Sequence, residues 1–175
     1  MGFRQRSVTP PEAQKKLLKD GFAILCDVVP KDIIYDLYNA YESNKTFTLR
    51  EAAPMKGKAY EPSSLDWFLT EPAFKKASNF FLNFFQKKYN LRTMPTYNMG
   101  RIYTNETTGM IRHTDRVPCE ISISMPVAYD LEPWRLHVKG KNGQEVGASL
   151  MVGDVLVYMG CDCEHWREEF TGKDC

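Results

Sequence analysis

The residues best suited to chemistry in this chain are two of its three histidines and one aspartate. His113 and Asp115 are separated by a single residue, and side chains two positions apart on an extended chain point to the same side. His165 lies further along and can complete a set of two imidazoles and one carboxylate. Three such ligands occupy one face of an octahedron. The pattern therefore predicts a metal site with three positions open for substrate, cosubstrate or water.

The sequence around these residues strengthens a signal that is weak by itself. An H-x-D tripeptide often arises by chance, but here an alternating strand pattern follows it. A Gly153-Asp154 turn then leads into the apolar run 155–158, and His165 comes shortly after. Two histidines and a carboxylate in such a setting are typical of non-haem Fe(II) centres, in which two open positions bind a 2-oxo acid and one receives O₂.

The cysteines offer a competing metal site. Cys161 and Cys163 precede His165 at two-residue intervals, which suggests a zinc site. Zinc usually takes four ligands, and Cys119 and Cys175 are the remaining candidates with nothing in the sequence to fix their position. The default interpretation is that the cysteines pack as small apolar side chains.

The composition fits one compact domain, expected to span residues 1–175. Of the 175 residues, 43% are hydrophobic and 26% charged, which is ordinary for a globular protein with a real core. A formal net charge of +1 disfavours a nucleic-acid partner, and no apolar run is long enough to cross a membrane. Five cysteines without a framework spacing, and no secretory leader pattern, lead us to expect a cytoplasmic protein.

Helical signals dominate a part of the chain from about 9 to 92. Prolines open three apolar patterns with helical spacing, and a short apolar strand is predicted at residues 22–25. The predicted helices begin at Pro10, Pro30 and Pro72. Residues 43–62 are rich in Ser, Asn, Gly, Pro and charge, and are predicted to form an irregular loop that covers the entrance of the site.

From about residue 96 the pattern changes to short strands. Ile121, Ile123 and Met125 alternate with serines, which indicates a half-buried strand, and residues 141–143 form a turn signal. The predicted strands cover 121–125, 134–138, 149–152, 155–159 and 164–170. Such a series favours a sandwich or barrel such as a jelly roll, with the helices on one outer face.

Several stretches carry a resemblance to a known family. They are Lys19–Leu25, Arg101-Ile102-Tyr103, His113-Thr114-Asp115-Arg116, Gly153–Tyr158 and Glu164-His165-Trp166-Arg167. Together they resemble the Fe(II)/2-oxoglutarate-dependent oxygenase superfamily, in particular its prolyl-4-hydroxylase-like branch. The resemblance spans nearly the whole chain and is densest from 97 to 170. It implies an α+β, mainly β fold: a double-stranded β-helix core at about 96–175, with N-terminal helices packed on one face.

The resemblance also implies roles for individual residues. His113, Asp115 and His165 would be the catalytic metal ligands. Tyr103 lies ten residues before the first of these histidines and Tyr129 sixteen residues after it, where the family places tyrosines that contact 2-oxoglutarate. A phenol suits that role because it donates a hydrogen bond to a carboxylate.

The basic residue that binds the far carboxylate of 2-oxoglutarate is where this sequence departs from the family. The family places it nine or ten residues after the distal histidine, but here those positions hold Asp174 and Cys175. Either Lys173 is shifted by one position, or Arg167 takes the role, or the last strand is lacking. We favour Arg167, because its guanidinium fork matches a carboxylate and residues two apart on a strand share a face.

The implied activity is hydroxylation of a C–H bond that depends on Fe(II), 2-oxoglutarate and O₂, releases succinate and CO₂, and accepts ascorbate as an accessory reductant. The substrate classes compatible with it are a peptidyl residue, an amino acid and a small metabolite. Two alternatives stay open. The missing basic residue favours a non-catalytic jelly-roll or cupin-like module that binds a metal or ligand, whereas the near-neutral charge disfavours a nucleic-acid demethylase. Arg112 and Arg116 flank the metal motif and either orient an anionic substrate or pair with carboxylates.

Overall fold

The computed structural model describes residues 10–51, 53–64, 66–130 and 132–170. The helices are α1 (Pro10–Asp20), α2 (Lys31–Ser43), α3 (Asp66–Thr70) and α4 (Pro72–Tyr89). The strands before the metal motif are β1 (Phe22–Leu25), β2 (Phe47–Glu51) and β3 (Met55–Pro62). The others are β4 (Ile102–His113), β5 (Ser122–Ser124), β6 (Leu136–Lys139), β7 (Glu145–Ala148), β8 (Val155–Tyr158) and β9 (His165–Arg167).

The strands form two antiparallel sheets. The large sheet has the order β2-β3-β4-β9-β6-β7, and the small sheet has the order β1-β8-β5. In the large sheet β9 inserts between β4 and β6, so two of its pairings join strands that are distant in sequence. This is the arrangement of a jelly roll, and it confirms the predicted fold class.

The small sheet lies between the large sheet and the helices. On one face, Phe22 and Leu156 pack in a core with Val138 of the large sheet. On the other face, Val155 and Val157 pack in a second core built mainly by α2 and α4. Because β8 is buried on both faces, its sequence is a continuous apolar run instead of an alternating one. The helices therefore cover one outer face, as predicted.

Local sequence signals explain the longest helix of the described residues. Pro72 occupies the first turn of α4, where its missing N–H costs nothing, and the Glu71 carboxylate accepts a 3.3 Å hydrogen bond from the Ala73 N–H. Asn90 ends the helix in the left-handed conformation with φ of 49°, which asparagine tolerates better than most residues. The buried face carries Phe74 and Phe85 into the helical core.

The prediction of an irregular loop over 43–62 is wrong. Strands β2 and β3 form a hairpin at the edge of the large sheet, and β3 pairs with β4. Lys56 and Lys58 are exposed on β3, the strand next to the edge, so the charge that suggested a loop is compatible with a strand. The buried carboxylate of Glu61 holds the hairpin in place, because it pairs with Arg50 at 3.0 Å and also accepts a hydrogen bond from Arg101.

Other differences are smaller. The short helix α3 was not anticipated, and β7 lies at Glu145–Ala148 and not at 149–152. Strand β7 pairs only with β6 in the described sheet, so its outward residues are exposed and its apolar pattern is faint. The regular part of β9 is three residues long, shorter than the predicted 164–170. In the part of the chain that the structure describes, no helix has both the length and the apolar character to cross a membrane.

Candidate metal centre

The structure brings His113, Asp115 and His165 together. His113 ends β4, His165 begins β9, and the two residues are direct partners in the antiparallel pairing of these strands. Their ring centroids lie 4.3 Å apart, and the Nε2 atom of His165 lies 3.6 Å from the Oδ1 atom of Asp115. Each residue offers one ligand atom, and these atoms all lie within 4.8 Å of one another. Three donors at this spacing can hold a single ion.

Both histidines are oriented through their Nδ1 atoms. The Nδ1 atom of His113 lies 2.8 Å from the carbonyl oxygen of Ile111, and that of His165 lies 3.1 Å from the carbonyl oxygen of Cys163. A carbonyl only accepts, so each Nδ1 carries the proton and each Nε2 is left with a lone pair for a metal. Burial lowers the pKa of His165, which favours the neutral imidazole that metals bind.

Asp115 is held at its backbone and at its carboxylate. Its N–H donates a 2.8 Å hydrogen bond to the carbonyl of Gly160, and the hydroxyl of Ser122 donates a 2.6 Å hydrogen bond to its Oδ2 atom. A Cβ atom at position 160 would lie 2.4 Å from that same Oδ2, so the site requires glycine there. Sequence analysis missed Ser122 and Gly160, because their roles depend on a meeting of strands that no local pattern reveals.

Tyr103 and Arg167 lie together beside the metal ligands. Arg167 follows His165 by two residues on β9, and its side chain donates to the backbone carbonyl of Trp134. The guanidinium carbon lies 4.8 Å from the Trp134 ring centroid and 5.9 Å from that of Tyr103, and these two rings meet edge to face at 5.0 Å. Trp134 is a further member of this group. Its place on an alternating stretch was visible in the sequence, but its contact with Arg167 was not.

Of the other two candidates for 2-oxoglutarate binding, Tyr129 is described and is not part of this group. The half-buried Tyr129 directs its hydroxyl to the sulfur of Met151 at 3.4 Å. No hydrogen bond or ring contact joins Tyr129 to Tyr103 or Arg167, all of which are described residues. Lys173 lies outside the described residues.

The described cysteines do not contribute to the metal cluster. Cys163 is buried, and its thiol lies 3.4 Å from the carbonyl of Gly21. The Cys161 thiol lies 3.4 Å from the carbonyl of Arg116. Among the residues described, the one group of three or more His, Cys, Asp or Glu side chains with clustered ligand atoms contains no cysteine. The alternative zinc site is therefore not formed by these residues.

Arg112 faces the opposite side of the sheet from the ligands. Its guanidinium pairs with Glu145 at 2.5 Å and Glu164 at 3.1 Å, and lies 4.0 Å from the ring centroid of Trp166. Trp166 in turn stacks on His137 at 5.3 Å. We call Arg112, Trp166 and His137 the outer stack. Arg112 therefore pairs with carboxylates. Arg116 directly follows Asp115 in the chain, and its guanidinium carbon lies 5.6 Å from the ring centroid of Tyr97.

Comparison with known proteins shows what this fold resembles. No protein-family model and no curated protein matches the sequence. Among solved structures, a prolyl-4-hydroxylase from Pseudomonas putida aligns with a TM-score of 0.68 at 13% identity, over 95% of this chain and 94% of that chain. A non-haem α-ketoglutarate-dependent carbocyclase, SnoK from nogalamycin biosynthesis, aligns with a TM-score of 0.71 at 10% identity, over 93% and 80%.

A third structure is a prolyl hydroxylase from Trichoplax adhaerens in complex with a peptide fragment of hypoxia inducible factor. It aligns with a TM-score of 0.62 at 14% identity, over 94% of this chain and 85% of that chain. These likenesses cover nearly the full length of the chain, and they agree with the family resemblance seen in its sequence motifs. The chain therefore has the jelly-roll fold of the 2-oxoglutarate- and Fe(II)-dependent oxygenases, including that of prolyl hydroxylases.

Proposed function

We propose that the protein is an Fe(II)- and 2-oxoglutarate-dependent dioxygenase that hydroxylates a C–H bond of its substrate, with succinate and CO₂ as coproducts. The observation that carries this proposal is the cluster of His113, Asp115 and His165, whose ligand atoms lie within 4.8 Å of one another. The cluster occurs in a fold whose structural neighbours include a prolyl-4-hydroxylase and a non-haem α-ketoglutarate-dependent carbocyclase.

The residues present fit Fe(II). Two neutral imidazoles and one carboxylate are the donor set of non-haem iron oxygenases, and the Nδ1 contacts already direct both Nε2 atoms to the centre. When bound, Fe(II) supplies the redox chemistry that couples oxidation of 2-oxoglutarate by O₂ to hydroxylation. The protein holds the three ligands in place. His165 is buried and packs against the ring of Tyr158, so water has little access to the site from the side of His165.

Tyr103 and Arg167 are proposed to bind 2-oxoglutarate. Arg167 and His165 share the inner face of β9, so the guanidinium lies on the same wall as the metal ligands. The ring of Trp134 and its carbonyl hold the guanidinium in one orientation, which reduces the entropy lost when a carboxylate binds. Arg167 would thereby replace the basic residue that the family places further along the chain. For Tyr129, cosubstrate binding stays a prediction.

The substrate is proposed to be a peptidyl residue, an amino acid or another small metabolite. The complex of the Trichoplax adhaerens enzyme with a peptide supports the first class, and the carbocyclase supports small molecules. A formal net charge of +1 continues to disfavour nucleic acid.

An anaerobic titration tests the proposal. Apo-protein is loaded with Fe(II) and then titrated with 2-oxoglutarate, and the metal-to-ligand charge-transfer absorption of a chelated 2-oxo acid is followed. We expect the band to form in the wild type and to vanish in His165→Ala. Arg167→Met should need at least tenfold more 2-oxoglutarate, because a charge-assisted hydrogen bond contributes about 1.5–3 kcal/mol.

Arg112→Met is the matched control. This arginine is also on the large sheet and near the ligands in sequence, but it belongs to the outer stack and should leave the titration unchanged. A wild-type protein that binds Fe(II) and gives no band would refute the 2-oxoglutarate assignment, and it would favour a non-catalytic metal-binding module.

A further inference from the structure

We propose that Ser122 is a positioning residue that restricts Asp115 to metal binding through its Oδ1 atom alone. The inference rests on the proposed metal site, and it concerns how that site keeps its open positions. A carboxylate can bind a metal through one oxygen or through both. A second oxygen would take a position that the proposed function reserves for 2-oxoglutarate or O₂.

The first argument is the geometry of the Asp115 carboxylate. Its Oδ2 atom accepts a 2.6 Å hydrogen bond from Ser122, while its Oδ1 atom lies 3.6 Å from the Nε2 atom of His165. One oxygen is therefore bonded to the protein, and the other faces the second ligand atom. The backbone bond from Asp115 to Gly160 fixes the other end of the residue, so rotation of the carboxylate would break the Ser122 bond.

The second argument is the pairing of β5 with β8. Ser122 and Tyr158 are direct partners across these antiparallel strands, so their side chains lie on the same face. A serine hydroxyl has a single proton to donate. That proton goes to the Asp115 carboxylate, so the pairing of β5 with β8 aims Ser122 at the candidate metal ligand.

The third argument is that Tyr158 and Gly160 connect Ser122 to the rest of the site. The Tyr158 ring centroid lies 4.7 Å from that of His165, so the strand partner of Ser122 also packs against a candidate metal ligand. A Cβ atom at position 160 would lie 2.4 Å from Asp115 Oδ2 and 2.7 Å from Ser122 Oγ. The absence of a side chain there makes room for the hydrogen bond between them.

Metal binding by the apo-protein provides the test, with Co(II) as a spectroscopic probe that needs no turnover. We expect Ser122→Ala to weaken Co(II) binding about 10–100-fold, as is usual when a partner of a metal ligand is removed. The visible spectrum of bound Co(II) should also change, because the freed carboxylate alters its coordination. Ser122→Thr keeps the hydroxyl and should restore both affinity and spectrum. Ser124→Ala is the matched control, since Ser124 lies on the same strand but pairs with Leu156.

The outcomes separate this inference from the proposed function. If the wild type does not bind Co(II), or if His113→Ala binds it equally well, the metal site itself is wrong. If the wild type binds Co(II) and Ser122→Ala matches it in affinity and spectrum, only the role of Ser122 is overturned. Should Ser122→Ala fail to fold, Ser122→Cys decides the question. It fills the same place with a thiol, which is a weak donor, and a wild-type affinity and spectrum in that variant would overturn the proposal.

Discussion

Replacing Gly160 with alanine should damage both stability and metal binding. The added Cβ would lie 2.4 Å from Asp115 Oδ2, 2.5 Å from the Cys119 carbonyl oxygen and 2.7 Å from Ser122 Oγ. Ordinary contacts of this kind lie at roughly 3.5 Å, so each neighbour must retreat by about 1 Å. Overpacking of a filled site costs about 1–3 kcal/mol, and we expect the upper end because one neighbour is backbone. Displacement of Asp115 should weaken Co(II) binding at least about tenfold.

Two measurements on the same variant check this expectation. Urea unfolding of the apo-protein gives the free energy of unfolding, and Co(II) titration gives the affinity. Gly143→Ala is the control: its φ of +80° strains an alanine by about 1–2 kcal/mol, but nothing lies within 4 Å of the new Cβ. That variant should lose stability and keep Co(II) affinity. The reasoning is refuted if Gly160→Ala has the same free energy of unfolding and the same Co(II) affinity as the wild type.

Three further predictions concern the rest of the molecule. Glu61→Leu leaves the largely buried Arg101 without its carboxylate and should lower the free energy of unfolding by about 3–5 kcal/mol in a urea titration; a loss below 1 kcal/mol would contradict the buried pairing. Arg112→Met removes exposed ion pairs and the contact of the guanidinium with the Trp166 ring, and the part of its effect on unfolding that comes from the ion pairs should shrink in high salt. Burial raises the pKa of Tyr89 from about 10 to about 12, so its contribution to stability is complete below pH 10 and is lost as the pH rises through 12. Tyr89→Phe should therefore lose less stability than the wild type over this interval, and identical profiles would contradict the shift.

The sequence indicated which three side chains would lie together as candidate metal ligands, but it did not indicate the residues that hold them in place. His113 and Asp115 are two residues apart on an extended segment, so one local pattern places both on one side. Ser122 and Gly160 act on the same carboxylate through strand pairing between β5 and β8 and through the loop after β8. The alternation around Ile123 identifies a strand but not its partner, so only the folded structure reveals that Ser122 and Gly160 meet Asp115.

The sequence predicted strands well where a strand is buried on one face or on both faces. The alternation around Ile123 and the apolar run of β8 each match a strand of the small sheet. The β2–β3 hairpin was missed because its partner, β4, begins far along the chain and because β3 carries exposed lysines. One face of an antiparallel sheet can be in water, so charge and glycine could not distinguish this hairpin from a loop.

The outer stack has a consequence for the register of β9. This strand has three residues, and a slip of one residue against its neighbours would turn His165 and Arg167 to solvent and Trp166 inward. So short a ladder offers few hydrogen bonds to resist the slip. In the native register the Trp166 ring contacts both Arg112 and His137. A register slipped by one residue would lose both contacts. A tryptophan on the far side of the sheet thus specifies which way the metal ligand faces.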